Sequence, residues 1–397
     1  MSLVNRWPII HISYLAILLI AIVNGMIILL LPLLAVEIGI SIIGIGSLMA
    51  ARGIGILIAD LPTGIAIHRF GEKRLIQLSL IIIMISCVGI FVWHSWLSLL
   101  FFVSLFGVGI GGWSLAQHSL LSAKNVYHRR GRSLSNLFIF QRGGFFIGPV
   151  IGGSISHYYG FEAAFLLATT ITLIALTFCS LKLPKHHQQK ESPSIKAQFI
   201  ALPTFIKKHQ QIFMTAAMFI MILRLVRGAR QFLLPLWGHY IGLNAAEIGL
   251  VYGLSAAIDV ILLYAGGQIS DRWGRKWVAV PCLTLLSLSL LLMPFALTFN
   301  SFLLLAVFAG AANGLGGGIM MTLGSDLAPK ENRSTFLGAW RLLGDLSGTL
   351  SPLFIGWIGS TFTLVSASVV SGGIGLLGSV VMMLWVKETL IKPKKKD

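Results

Sequence analysis

Six arginines lie inside apolar stretches that are long enough to cross a membrane, where charge is expensive. An ionisable group at the centre of a bilayer costs at least about 2.5 to 3.5 kcal/mol on insertion scales, so each needs a partner or a water-filled cavity. Few acids accompany them, chiefly Asp259 and Asp345, with Asp60 and Glu37 nearer the ends of their stretches. Such residues suit anion binding and proton exchange. The arginines are Arg52, Arg142, Arg224, Arg227, Arg230 and Arg341.

Three of these arginines, Arg224, Arg227 and Arg230, recur at three-residue steps, with Gln231 beside them. On a helix this spacing forms a stripe along one face. An excess of buried positive charge predicts a substrate with anionic groups. The alternative is a structural role, in which the arginines bind backbone carbonyls or extend to the membrane surface.

Composition indicates the elements that position these residues. Of the 397 residues, 56% are hydrophobic and 11% are charged, and the mean hydropathy of +0.87 predicts an all-α integral membrane protein. The apolar runs reach about 20 residues or more, the length of a transmembrane helix. We predict 12 transmembrane helices at 10–37, 42–67, 74–93, 97–122, 134–158, 161–182, 212–240, 246–268, 277–297, 302–327, 335–359 and 363–386.

The net charge of +17 follows the predicted topology. Most of the 30 Lys and Arg residues lie at the N-terminus, in every second loop or in the C-terminal tail, and the alternate loops carry none. This positive-inside pattern predicts that both termini lie in the cytoplasm, and the expected location is a bacterial cytoplasmic membrane. It argues against nucleic acid as a partner, and the lipid bilayer is the expected surroundings.

The chain repeats itself at a spacing of 203 positions, which predicts two pseudo-symmetric six-helix bundles. We expect bundles at 1–182 and 212–397, the second with a basic tail, joined by a cytoplasmic linker at 183–211. The turn at 267–276 (GQISDRWGRK) has an imperfect copy at 64–73 (GIAIHRFGEK). Other pairs in the same register are Pro32/Pro235, Gly39/Gly242, Gly46/Gly249, Gly107/Gly310, Gly111/Gly314, Arg130/Arg333, Pro149/Pro352 and Gly153/Gly356.

Two six-helix halves, a long central loop and the turn at 267–276 resemble the major facilitator superfamily, over essentially the whole chain. The resemblance implies gating roles for Asp271, Arg272 and Gly274, with Asp271 capping a helix of the other half. In the weaker copy, formed by His68, Arg69 and Gly71, a histidine stands where the family usually has Asp. Because His68 cannot act as an anion, the copy predicts a pH-sensitive or weakened gate.

The fifth predicted helix contains Gly144-x-x-x-Gly148-Pro149-x-x-Gly152-Gly153. It resembles the motif of antiporting, drug-efflux branches of that superfamily, and we assign Gly148 and Pro149 to gating. Proline frees a backbone carbonyl, and glycines permit close packing. Ser135 replaces an early glycine of the full pattern, so the motif is partial. It favours export over import.

The resembled fold packs the fifth helix against the eighth and the second against the eleventh. Arg142 and Asp259 lie at similar depths, which predicts an ion pair between the halves. The 203-residue repeat then predicts a second pair, Arg52 with Asp345, which Arg341 would share from one turn away. Two interpretations stay open: static latches that satisfy buried charges, and pairs that break during transport, with the aspartates carrying protons.

In this fold, the first, fourth, seventh and tenth helices line a central cavity. Substrate contacts are therefore expected from the arginine stripe with Gln231, and from amide and aromatic residues on the other lining helices. Taken singly, each of the latter also fits a packing role. They are Asn24, Trp113, Gln117 and Asn313.

Other functional classes have weak support in the sequence. An intramembrane enzyme would need a motif such as H-E-x-x-H or G-x-S-x-G, and neither occurs; neither does an ATP-binding P-loop. A channel would need rings of charge, and a scaffold would leave the buried charges unexplained. We predict a monomeric, proton-coupled secondary transporter of a small organic molecule, without cofactor or metal, exporting by antiport. The alternative is a symporter that imports an organic anion, a nutrient or a siderophore-like polycarboxylate.

Overall fold

A computed structural model of the protein describes residues 7–124, 130–182, 210–329 and 333–390, and these residues form helices with no strand among them. The predicted all-α class with twelve membrane helices is confirmed. The helices are α1 (Trp7–Glu37), α2 (Ile42–Phe70), α3 (Glu72–Val92), α4 (Trp96–Lys124), α5 and α6 (130–159 and 161–182 of Arg130–Lys182), α7 (Met218–Tyr240), α8 (Ala245–Trp273), α9 (Lys276–Leu292), α10 (Phe299–Leu327), α11 (Arg333–Thr361) and α12 (Leu364–Trp385).

One predicted boundary is confirmed: α5 and α6 meet at Gly160, where φ is 85° and ψ is 164°, between the predicted spans 134–158 and 161–182. Two other helices differ from the predicted continuous spans. α10 consists of two segments, Phe299–Leu315 and Ile319–Leu327, separated by a turn at 316–318. α7 is preceded by a π-helical turn, Phe213–Ala217. Hydropathy alone does not register such local changes, because the apolar pattern continues through them.

Ten helical segments in the described part of the chain are long and apolar enough to cross a membrane. One of them, Asn136–Leu181, contains both α5 and α6. α11 is not among the ten, and it carries Arg341 and Asp345 within its length. By length and composition alone, α11 would not be recognised as a spanning helix.

The predicted duplication is confirmed by matching backbone features. Gly39 and Gly242, which are 203 positions apart, have φ angles of 77° and 81° at equivalent loops. The N-caps of α2 and α8, Ser41 and Asn244, are also 203 positions apart, and each side chain accepts a hydrogen bond from a backbone N–H three residues on.

The two halves meet where α1 joins α2 and α7 joins α8, which we call the closed end. A Cβ atom at Gly46 would overlap the carbonyl oxygen of Pro352 on α11. A Cβ atom at Gly249 would likewise overlap the carbonyl oxygen of Pro149 on α5. Since Gly46 and Gly249 are 203 positions apart, as are Pro149 and Pro352, the two contacts are pseudo-symmetric. Only glycine allows the helix backbones to approach this closely.

A small apolar cluster seals the closed end between α1 and α8. It consists of Leu29, Leu33 and Ile248, which are all nearly fully buried. Toward the opposite end, which we call the open end, lie the charged turns at 70–72 and 274–275. The predicted linker falls almost entirely on residues 183–209, outside the described part of the chain. The domain bounds and the cytoplasmic position of both termini stay predictions.

Candidate functional site

Two cavities lie between the halves, on either side of α7. A 360 Å³ cavity is lined by α5, α7, α8 and α10, and a 320 Å³ cavity by α2, α7 and α11. Arg227 and Gln231 line both, so the cavities share one wall. The second extends to Asp60 and Arg341, and the Arg341 side chain is 66% exposed, so this site is reachable from the open end.

The predicted ion pair between the halves is present at Asp259. Arg142 of α5 donates from Nη1 to Oδ1 of Asp259 on α8, at 3.0 Å. Asn313 of α10 donates to the other carboxylate oxygen at 2.6 Å. All three residues line the larger cavity. The carboxylate is thus held by one cation from the first half and one amide from the second.

The second predicted pair, Arg52 with Asp345, is wrong. Asp345 forms ion pairs with Arg224 of α7 and with Arg341, one turn earlier on α11 at 3.2 Å. The predicted contact of Arg341 with Asp345 is therefore confirmed, but the other partner of Asp345 is Arg224 of the arginine stripe and not Arg52. The physical reason is that α7 packs against α11 with Arg224 in reach of Asp345, whereas Arg52 on α2 is directed toward Asn24 of α1.

Arg52 instead binds within the first half. Its Nη2 donates to Oδ1 of Asn24 on α1 at 2.6 Å, and its buried Nε has no hydrogen-bond partner among the described residues. Asn24 was predicted to contact substrate, and here it orients an arginine. The repeat relates position 52 to Ser255 and not to an acid, so it carried no information on this partner.

The other two arginines of the α7 stripe are held by neutral oxygens. Arg227 donates from Nη2 to the carbonyl of Gly316 at 2.9 Å, and Arg230 donates from Nη2 to Oγ of Ser255 at 2.6 Å. The Nε of each is buried without a partner among the described residues. The carbonyl of Gly316 is available because α10 is interrupted at 316–318.

A smaller pocket of 70 Å³ extends the site into the first half. Asn24, Trp113 and Gln117 line it, together with Gln141 and His118. Gln117 is 2% exposed, and neither its amide oxygen nor its nitrogen has a hydrogen-bond partner among the described residues. Buried amides are normally satisfied, so this residue has unused capacity for a ligand or for water.

The turn at 267–276 is fixed by residues of its own half. Asp271 is 76% exposed and binds Arg275 at 2.8 Å, and Arg275 also binds Asp326 at the end of α10 at 2.8 Å. The contact of Asp271 with the other half, which the resemblance implied, is not made among the described residues. With the open end accessible, the halves are apart at this level.

Glu388, which follows α12, completes this arrangement. Its carboxylate accepts hydrogen bonds from the backbone N–H groups of Arg275, Lys276, Thr389 and Leu390. Partial burial acts against its ionisation, but these four donors together lower the pKa of Glu388 below its ordinary value of 4.5. Gly274, at φ 123°, leaves the space that the carboxylate occupies.

The remaining predicted gating residues lie apart from the cavities. The Arg69 guanidinium stacks over the Phe70 ring at 5.4 Å, and Gly71 joins α2 to α3 with φ at 78°. Arg272 ends α8 in an exposed position. The side chain of His68 lies outside the described part. Gly148 and Pro149 pack against α1 and α8 at the closed end.

Sequence reasoning missed several residues of the site. Tyr252 lines the larger cavity together with Gln231, and Ser255 donates to the carbonyl of Ala306 while accepting from Arg230. The polar face of α8 at positions 252, 255 and 259 was the available signal. Glu388 gave no signal, since a charge after a terminal helix is ordinary.

The cavity lining as a whole is positive. The described residues around the two larger cavities include six arginines against three aspartates, an excess of three positive charges. No cluster of His, Cys, Asp and Glu in the described part of the chain could hold a metal ion. The site can therefore neutralise and orient an anion with guanidinium groups.

Comparison with known proteins gives the family. The profile described as "Major Facilitator Superfamily" matches residues 13–226 and 220–397. The "Hexuronate transporter" of Bacillus subtilis (strain 168) is 24% identical, over 91% of this chain and 90% of that protein. The "Cis,cis-muconate transport protein" of Acinetobacter baylyi (strain ATCC 33305 / BD413 / ADP1) is also 24% identical, over 90% and 89%.

Other similarities are shorter or structural. The "Multidrug resistance protein MdtG" of Salmonella choleraesuis (strain SC-B67) is 25% identical over 52% of this chain and 51% of that protein. A crystal structure of a mutant of the nucleoside transporter NupG superposes with a TM-score of 0.78, at 14% identity, covering 95% of this chain and 99% of the other. A positively charged cavity thus lies between two repeated six-helix halves, and the family profile matches along the chain. This protein is therefore a transporter and not an enzyme, and it belongs to the major facilitator superfamily of secondary transporters.

Proposed function

We propose that this protein transports a small organic anion and couples its movement to protons. The observation that carries the proposal is the excess of three positive charges around the cavities, combined with buried N–H groups that have no partner among the described residues. A buried cation with unused donors is costly unless a ligand satisfies it. Two relatives of nearly full length, named for hexuronate and for cis,cis-muconate, have names consistent with an anion.

Proton coupling is assigned to Asp259 and Asp345. Arg142 crosses from the first half to Asp259, so a movement of the halves that separates α5 from α8 removes this partner. A carboxylate that loses its arginine takes up a proton more readily. Asp345 is paired with two arginines of the second half, and a substrate anion that draws Arg224 away leaves it with Arg341 alone, which also favours proton uptake.

We retain export by proton antiport as the direction, on the partial motif at 144–153 and the half-length similarity to the multidrug protein. By the charge of its loops, the open end faces the cytoplasm. Uptake by proton symport is the second candidate. The nearly full-length similarity to the hexuronate and muconate transporters favours it.

The test uses purified protein in proteoliposomes that contain a pH-sensitive dye. A proton gradient is imposed, and glucuronate, adipate, a neutral amphiphile and a lipophilic cation are added in turn. Anions alone should evoke proton flux, and the sign of that flux separates antiport from symport. Flux evoked only by the cation would contradict the proposal.

Two variants and a control test the coupling. Asp259→Asn or Asp345→Asn should abolish anion-driven proton flux while exchange of labelled anion without a gradient persists, because exchange does not require net proton transfer. Lys387→Gln, which removes an exposed positive charge beyond α12, should behave as the unmodified protein. If both aspartate variants still couple, the proton site lies elsewhere and this assignment fails.

A further inference from the structure

Three of the six cavity arginines have no acidic partner among the described residues. Arg142, Arg224 and Arg341 form ion pairs, whereas Arg52, Arg227 and Arg230 form none with a described carboxylate. Each of these three donates one Nη2 hydrogen bond to a neutral oxygen, and each has a buried Nε without a partner in the described part of the chain. The guanidinium groups are thus oriented but not neutralised.

These three arginines belong to both halves of the protein. Arg52 joins α2 to α1 through Asn24, and Arg230 joins α7 to α8 through Ser255. The repeat relates Arg52 to Ser255 and Asn24 to Arg227, since each pair is 203 positions apart. The Arg52–Asn24 contact of the first half and the arginines beside Ser255 in the second half therefore lie at corresponding levels. The first half provides one such group, and the second half provides two.

In the two halves, the arginines without a described acidic partner line neighbouring cavities that share one wall. Arg52 lines the 320 Å³ cavity, and Arg230 and Tyr252 line the 360 Å³ cavity. Gln231 and Arg227 line both cavities. A ligand against this shared wall therefore lies between guanidinium groups that come from opposite halves.

From this geometry we propose that the substrate carries two separated carboxylates. One is bound by Arg52, which with Asn24 we call the first subsite. The other is bound by Arg227 and Arg230, which with Ser255 we call the second subsite. This inference rests on the proposed transport of an organic anion and specifies its class as a dicarboxylate.

A dicarboxylate fits the charges better than a single carboxylate does. A monoanion at the second subsite leaves the Nε of Arg52 unsatisfied and its charge uncompensated, which retains the cost of an isolated buried cation. A dianion offsets charge in both halves and links them. Hydrogen bonds to charged groups contribute enough that removing one subsite should weaken binding roughly 10- to 100-fold.

The experiment measures binding by calorimetry on the purified, full-length protein in nanodiscs. Adipate is compared with its monomethyl ester, which has nearly the same shape and one charge fewer. The unmodified protein should bind adipate at least about tenfold more tightly than the ester. The affinities for succinate, glutarate, adipate and suberate are then compared, and the tightest binder identifies the distance between carboxylates that spans the two subsites.

Arg52→Gln identifies the subsites. It should reduce the affinity for adipate to that for the ester and leave the affinity for the ester unchanged, whereas Arg230→Gln should weaken both. Lys387→Gln serves as the control. Should Arg52→Gln not fold, Arg52→Lys retains the charge but not the two-pronged geometry and should give an intermediate loss for adipate alone.

Each failure has a separate meaning. Equal affinity for adipate and ester overturns the dicarboxylate inference and leaves anion transport intact. A preference for adipate that survives Arg52→Gln overturns the first subsite. Absence of binding by every anion, together with proton flux evoked only by a lipophilic cation, overturns the proposed function itself.

Discussion

Replacing Gly249 with alanine should open the closed end. The added Cβ atom would overlap the carbonyl oxygen of Pro149 and lie 3.2 Å from the Cα atom of Gly153. Both neighbours are backbone atoms of α5, so no side chain can rotate away, and the helices must separate. Overpacking of this kind costs about 1–3 kcal/mol. The cost applies only while α5 and α8 are in contact.

That cost translates into a change of population. A destabilisation of about 1–3 kcal/mol confined to one conformation shifts the equilibrium roughly 5- to 150-fold toward the other. The readout is the rate at which a maleimide modifies Leu33→Cys, because Leu33 is 4% exposed and seals the closed end against Ile248. We expect Gly249→Ala to raise this rate by that factor.

Matched variants make the experiment specific. Gly46→Ala, at the pseudo-symmetric contact with Pro352, should have the same effect, whereas Gly373→Ala, where an added Cβ meets nothing within 4 Å, should have none. The native cysteines are buried, so the parent protein supplies the background rate. An unchanged rate in Gly249→Ala would refute the claim that these backbone contacts hold the closed end together.

Two further predictions concern charges. Arg142→Gln leaves the carboxylate of Asp259 without its cation, at a cost of up to about 3–5 kcal/mol, and should lower thermal stability; adding Asp259→Asn should restore part of the loss, and strictly additive effects would contradict direct pairing. Because the folded-state pKa of Glu388 is lowered, its stabilising contribution is present above pH 4.5 and is lost as pH falls below that value through the folded pKa. Glu388→Gln should therefore speed hydrogen exchange of the Arg275 and Lys276 amides at neutral pH, and acidification should lower the protection factors of the same amides in the unmodified protein, measured against the intrinsic exchange rate at each pH; equal exchange in both proteins at neutral pH would refute this.

Much of the fold could be predicted because membranes restrict it severely. Each spanning helix must satisfy its own backbone, so long apolar runs correspond to helices. Special residues such as Gly39 and Gly242 recur with the repeat because their backbone angles recur. The interruption at 316–318 escaped prediction, since it lies within continuous apolar sequence, whereas the break at Gly160 falls between two predicted helices.

The sequence by itself determined which charges are buried, that they exceed the available acids, and that the chain is a doubled six-helix unit. It also placed Arg142 opposite Asp259, because both the depth and the resembled packing were readable. Only the tertiary structure decided the other partners: Asp345 binds Arg224, and Arg52 binds Asn24. A buried charge takes whichever group lies within hydrogen-bonding distance, and that distance depends on how separate helices pack, which neither hydropathy nor repeat spacing encodes.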